Sequence, residues 1–208
     1  MNLRREIMSV QMVKQYVSGR LRRLRSLPEH PQKAALATMR KGIGHAPGEL
    51  PELWGEFLLD LPEEMQSKNG DPTKEEWAIY LALTMYALHQ QGHSMATENM
   101  HRDQERFGHA VRRLIPANEN VADSSVLRRF NVLATATDIR EVSRHLCSMI
   151  QLLRARGIPL DYVQLAGDLY EWQFAEGVPR VRLRWGQDFY RNEGNAMQEN
   201  GKEEKNEK

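Results

Sequence analysis

Residues 138–159, DIREVSRHLCSMIQLLRARGIP, decide the fold. Ile139, Val142, Leu146, Met149, Ile150 and Leu153 recur three and four apart, which is one stripe of an α-helix. Asp138 stands where an N-cap is needed, and Gly157 with Pro159 ends the pattern. So long an amphipathic run predicts a helix lying on a core. The same pattern extends in both directions. Downstream, Leu160–Phe174 places Tyr162, Leu165, Leu169 and Trp172 on one face. Beyond it Val181, Leu183 and Trp185 alternate with Arg180, Arg182 and Arg184, which is strand periodicity. A lone strand would find no partner in this sequence, and Pro179 suits a first helical turn, so Pro179–Arg191 reads as helix.

Upstream, Asp123 or Ser124 caps a helix that turns Val126, Leu127, Phe130 and Leu133 inward, and Glu105–Ile115 is helical up to Pro116. Gly92–Arg102 is polar and reads as a mobile loop. Trp77–His89 is apolar nearly all round, the pattern of a helix buried on most sides. Thr73 and Glu76 form its capping box, after an evident turn at Lys68–Pro72. Leu53–Leu61 makes a short amphipathic helix between Pro51 and Pro62, Gln32–Lys41 another, and Ile7–Leu24 a longer one crowded with arginines at its end. The expected fold class is therefore all-α: a helical bundle of one domain over residues 1–191, in two small lobes of about 1–102 and 103–191. The Glu/Lys/Asn-rich tail, residues 192–208, is expected to be disordered.

Cys147 is the only cysteine among 208 residues, so packing and not disulfide bonding must hold the fold. Arginine and lysine interrupt the N-terminal apolar positions early, which argues against a signal peptide, and nothing approaches a membrane span. A cytoplasmic protein is expected. The net charge of +1 conceals segregation: residues 1–48 hold 10 Lys/Arg against 2 Asp/Glu, and residues 49–78 hold 2 against 9. A basic face of this kind suits an anionic partner, although solvated basic faces are common on helical proteins.

No phosphate loop, CxxC pair, nucleophile elbow or HExxH helix is present. His89 and His93 have the spacing of a metal pair, with His101 nearby, but Gly92 ends the helix between them and no further ligand completes a set. Cys147 reads as a packed thiol, and Glu63-Glu64 and Glu75-Glu76 as solvated surface. No cofactor, metal or catalytic activity is expected. What remains is cationic. Arg40-Lys41, Arg112-Arg113 and Arg128-Arg129 sit off the apolar faces of three helices, and Arg140 and Arg144 lie one turn apart on a fourth. Several helices could lay such cations along one nucleic-acid backbone.

Ser125-Val-Leu-Arg-Arg-Phe130, Arg144-His-Leu146, Gly157-Ile-Pro-Leu-Asp-Tyr162, Leu165-Ala-Gly-Asp-Leu169 and Trp185-Gly-Gln-Asp-Phe-Tyr190 together resemble the CasB family. Leu36-Ala-Thr-Met-Arg-Lys-Gly42, Trp54 and Tyr80–Gln90 are similar to the same family in the same order, so the resemblance runs from about Gln32 to Arg191. These are small subunits of the type I-E CRISPR surveillance complex, Cascade. The resemblance implies a non-enzymatic helical bundle, present in two copies beside the backbone and large subunits, that helps to hold the guide RNA–target DNA R-loop and the displaced strand. Guide pairing reads sequence there, so this subunit needs only backbone-tracking charge. Arg40, Lys41, Arg128 and Arg129 match the family's basic positions, and Arg112, Arg113 and Arg144 complete the candidate set. Residues 1–25 and the tail fall outside the resemblance. The competing reading is a protein–protein adaptor whose basic faces bind acidic partners.

Overall fold

A capping box starts the central helix. Thr73 Oγ1 accepts from the Glu76 N–H at 3.0 Å, and the Glu76 carboxylate accepts from the Thr73 N–H at 2.7 Å. Every residue from Ala78 to His89 in the helix that follows, Lys74–His89, is buried. Such a helix needs neighbours on all sides. The computed structural model, which describes residues 3–191 and only the backbone of residues 3–7, supplies them. In chain order the helices are α1 (Leu3–Ser26), α2 (Glu29–Arg40), α3 (Trp54–Phe57), α4 (Lys74–His89), α5 (Phe107–Arg112), α6 (Ser125–Thr135), α7 (Ile139–Ala155), α8 (Tyr162–Trp172) and α9 (Gly177–Tyr190). α4 packs against α8, α7, α2 and α1; α6 lies on α7, and α9 crosses α5 and touches α8. One apolar cluster runs from Val13 in α1 to Phe189 in α9. The expected disordered tail, 192–208, lies outside the described residues.

Among the described residues the fold is all-α, with no strand. The alternating stretch near Arg180 is helical, and it buries Val181, Trp185 and Phe189 four apart while Leu183 stays exposed. Asp138 caps α7 by accepting from the Glu141 N–H at 2.8 Å. At the other end Gly157 adopts φ +59° and the Ile158 N–H returns to the Leu153 carbonyl. No described helix is long and apolar enough to cross a membrane.

Three local expectations change. α5 begins at Phe107, not Glu105, because residues 100–105 instead exchange backbone hydrogen bonds with Leu160 and Asp161, and Gln104 takes φ +65°. Leu53–Leu61 is a 3-10 turn, Pro51–Leu53, followed by the single turn of α3. The loop after α4 is pinned, not loose: the Gln90 amide donates to the His93 and Glu98 carbonyls and accepts from the Met100 N–H. Met95 and Met100 are buried beneath it.

The α5–α9 crossing depends on a glycine. A Cβ on Gly108 would lie 2.1 Å from the Trp185 carbonyl oxygen, and the backbone cannot give as a flexible side chain would. Gly108→Ala is therefore expected to cost at least about 1–3 kcal/mol through overpacking. Gly186→Ala, where a Cβ meets nothing, is its control. Urea midpoints of the two variants measure the difference.

Candidate nucleic-acid interface

The basic N-terminal quarter is partly consumed within the molecule. Arg20 reaches Glu56 at 3.2 Å, Arg23 reaches Asp60 at 3.5 Å and Lys41 reaches Glu52 at 2.7 Å. Tyr16 fastens the same contact by donating to the Phe57 and Leu59 carbonyls, and burial pushes its phenol up to about 12. The acidic segment has folded back on the basic one. Arg20 is the buried member, so its pairing is structural, whereas Arg22 and Arg25 remain exposed.

The seven candidate cations meet different fates. Arg112 donates to the Ile115 carbonyl at 3.2 Å and closes the end of its own helix. Arg113 pairs with Glu105 at 3.4 Å, and Lys41 is held by Glu52. Arg128 and Arg129 are exposed on α6 and make no ion pair among the described residues. In particular, neither pairs with Asp138 or Asp161, which cap α7 and α8 instead. Arg144 is likewise exposed and unpaired there. Arg140 lies with its guanidinium 5.4 Å from the centroid of the Trp77 ring. Arg40 is half-buried, and burial and then the charge of Arg154, a cation that the sequence reading passed over, lower its pKa. The signal was present: residues 140, 144, 147, 151 and 154 repeat four and three apart, so Arg140, Arg144 and Arg154 share one flank of α7. α2 packs on α4 and α6 on α7, so Arg40 and the Arg128-Arg129 pair are carried by different layers.

The histidines separate. His89 is buried, with Nδ1 2.8 Å from the Tyr162 hydroxyl. His93 pairs with Glu98 at 3.1 Å. His101 comes within 3.4 Å of Asp103, close to Asp161, the one grouping with metal-ligand geometry among the described residues. Its chemistry is wrong for a cation. His101 Nδ1 accepts from the Tyr162 N–H, so in the neutral ring Nε2 carries the proton and offers no lone pair. Both Asp161 oxygens already accept backbone N–H groups, from Gln164 and Gln104. Cys147 is half-buried, and burial raises its thiol pKa; the neighbouring His145 faces Glu141 instead. Burial thus disfavours the thiolate form that a nucleophile needs.

The motifs that carry the resemblance turn out to be fasteners. Asp168 is buried on α8 and accepts from Trp185 Nε1 at 2.8 Å, Arg184 at 2.9 Å and Gln164 at 3.1 Å. Asp188, also buried, pairs with Arg106 at 3.5 Å. A family model described as CRISPR-associated protein Cse2 matches residues 35–190, from α2 through α9. The chain belongs to the Cse2 family. Solved structures agree. CasB from Thermobifida fusca is 34% identical with a TM-score of 0.69, over 86% of this chain and 98% of that one. CasB from M. ruber is 25% identical with a TM-score of 0.60, over 94% and 98%. A Cse2-family CRISPR-associated protein from Thermus thermophilus, 22% identical with a TM-score of 0.62 over 85% and 97%, shares the fold. No curated protein matches the chain. α1 lies outside the Cse2 match, yet it packs on α8 within the same core.

Proposed function

We propose that this Cse2-family chain is the non-catalytic small subunit of a type I-E surveillance complex, Cascade. In this role it binds nucleic-acid backbones without regard to sequence and steadies the guide RNA–target DNA R-loop and the displaced strand. Its partners are the backbone and large subunits, a second copy of itself, guide RNA and target DNA, in the cytoplasm. The observation that carries the reading is that three of the seven candidate cations, Arg128, Arg129 and Arg144, are exposed and have no acidic partner among the described residues. A bundle that neutralises Arg20, Arg23, Lys41 and Arg113 internally leaves these three available for an outside anion. Cations of this kind suit a subunit that follows phosphates while guide pairing supplies specificity.

A salt-titrated polarisation assay with single-stranded oligonucleotides of unrelated sequence tests the reading. Affinity should fall steeply with salt and vary little with sequence. Replacing Arg128 and Arg129 with alanine should make the log–log slope shallower by about 0.7 per lost phosphate contact, equally for every sequence. Stability should change by less than about 0.5 kcal/mol, since both side chains are exposed and unpaired. An unchanged slope in a folded variant would remove this pair from the interface. No measurable oligonucleotide binding by the wild-type chain would instead favour an adaptor whose basic faces meet acidic proteins.

A further inference from the structure

We infer that the groove between α2 and the turn at residues 90–95 is a phosphate seat held by Arg40 and Arg154, where a single nucleic-acid strand passes from α7 onto α2. This deepens the backbone-binding reading above and rests on it for the identity of the strand, though not for the chemistry of the seat.

The groove encloses about 600 Å³, with Glu29, Gln32, Lys33 and Arg40 on one wall and Gln91, His93 and Ser94 on the other. Arg154, in the last turn of α7, does not line the groove but reaches a residue that does. Its Nη1 donates to Gln91 Oε1 at 2.7 Å, and Gln91 lines the groove together with Arg40. The two cations feel each other: burial and then the charge of Arg154 lower the Arg40 pKa. Neither has a carboxylate partner among the described residues. The acids nearby are already engaged, Glu29 with Lys33 and Glu98 with His93. Glu29 is also eleven residues from Arg40, roughly 16 Å along α2.

A position in the last helical turn favours each arginine separately through the helix dipole. It does not explain why Arg40 lines a groove whose Gln91 holds a second guanidinium. Like charges so placed repel, and a divalent, multi-oxygen anion removes the repulsion while accepting hydrogen bonds from both forks. The path on either side suits a chain of such anions. Arg144 and Arg140 continue along the same α7 flank, ~21 Å from Arg140 to Arg154 at the helical rise. Beyond α2 lies a cavity of about 410 Å³ that Arg25 lines, with Glu29, Gln32, Ser94 and Met95 shared between the two.

The test is Arg154→Gln, which keeps a donor for Gln91 and removes the charge. Arg113→Gln, on the far end of α5 and paired with Glu105, is the control. In low salt without nucleic acid, Arg154→Gln should melt at a higher temperature than wild type, because the repulsion with Arg40 is gone. Pyrophosphate, compared with chloride at matched ionic strength, should raise the wild-type melting temperature and leave the variant nearly unmoved. With fluorescein-labelled oligothymidylate the variant should bind about tenfold more weakly, the loss of one charge-assisted contact. Arg40→Gln should do the same, and the double variant should lose less than the product of the two. Pyrophosphate stabilisation that depends on Arg154 would uphold the seat even if oligothymidylate did not bind, and only the strand reading would then fail. Equal pyrophosphate responses in variant and wild type would overturn the inference, as would oligothymidylate binding that Arg154→Gln leaves unchanged.

Discussion

Replacing Asp168 with alanine is expected to cost about 3–5 kcal/mol, the range for removing one partner from a buried ion pair. The carboxylate is 5% exposed and joins α8 to α9 through Arg184 and the Trp185 indole. Burial drives its pKa above the ordinary carboxylate value, and Arg184, Trp185 and Gln164 only oppose that rise. The group is therefore tolerated because it is paired, and the loss falls on the partners. Trp185 Nε1 would be left buried without an acceptor, and Arg184 would keep only Glu171, at 3.0 Å. Asp168→Asn, which preserves an acceptor but not the charge, should lose less. Trp185 also packs on Phe107 and Trp172, with ring centroids 4.7 and 5.2 Å away, so its fluorescence should report the loosening. Urea denaturation decides the matter: an alanine variant within about 1 kcal/mol of wild type would show that packing alone fixes the α8–α9 contact.

What the sequence revealed follows from how local each signal is. The stripe from Ile139 to Leu153 and the Thr73–Glu76 box involve residues within a few turns of one another, and both appear in the structure as read. The helix from Gly177 was legible only by elimination, because Arg180–Trp185 alternates and burial of Val181, Trp185 and Phe189 is a tertiary fact. α5 was overextended because the hydrogen bonds that occupy residues 100–105 come from Leu160 and Asp161, far along the chain. Charge was the least legible property. The basic and acidic quarters were visible as counts, but the Arg20–Glu56 and Arg23–Asp60 pairings join residues more than thirty apart. Arg113 and Lys41 looked as available as Arg128 does, and only their carboxylate partners separate them. Arg154 went unread for the opposite reason: a cation in a last turn is ordinary until the fold brings it, through Gln91, to the groove that Arg40 lines.

Acid should weaken this protein well before its carboxylates titrate, and His89 is the cause. The ring is fully buried, with Nδ1 against the Tyr162 hydroxyl, which in turn lies 3.2 Å from the Met85 carbonyl. Nε2 points towards the end of α7 near the Leu153 and Ile158 carbonyls but makes no well-formed hydrogen bond. Burial, with some help from His93 and Arg154, lowers the pKa from 6.5 to about 3. The sign follows. Between about 6.5 and 3 the unfolded chain binds a proton that the folded chain refuses, so stability is complete above pH 6.5 and declines as pH falls through that window. Carried to its lower limit, the decline is on the order of 4 kcal/mol. Glu29, Glu49 and Glu141 also have lowered pKa values, but their windows open only below the ordinary 4.5, and none of the three is buried. The comparison of wild type with a His89 variant between pH 6.5 and 5 isolates this histidine, because every other group, the raised Asp168 carboxyl included, is common to both proteins. His89→Gln, which can still meet the Tyr162 hydroxyl and cannot take up a proton, should flatten the profile there even if it is less stable at pH 7. Urea midpoints at closely spaced pH values for the two proteins provide the comparison. Parallel profiles would mean that His89 already accepts a proton in the folded state, with the Leu153 and Ile158 carbonyls receiving it.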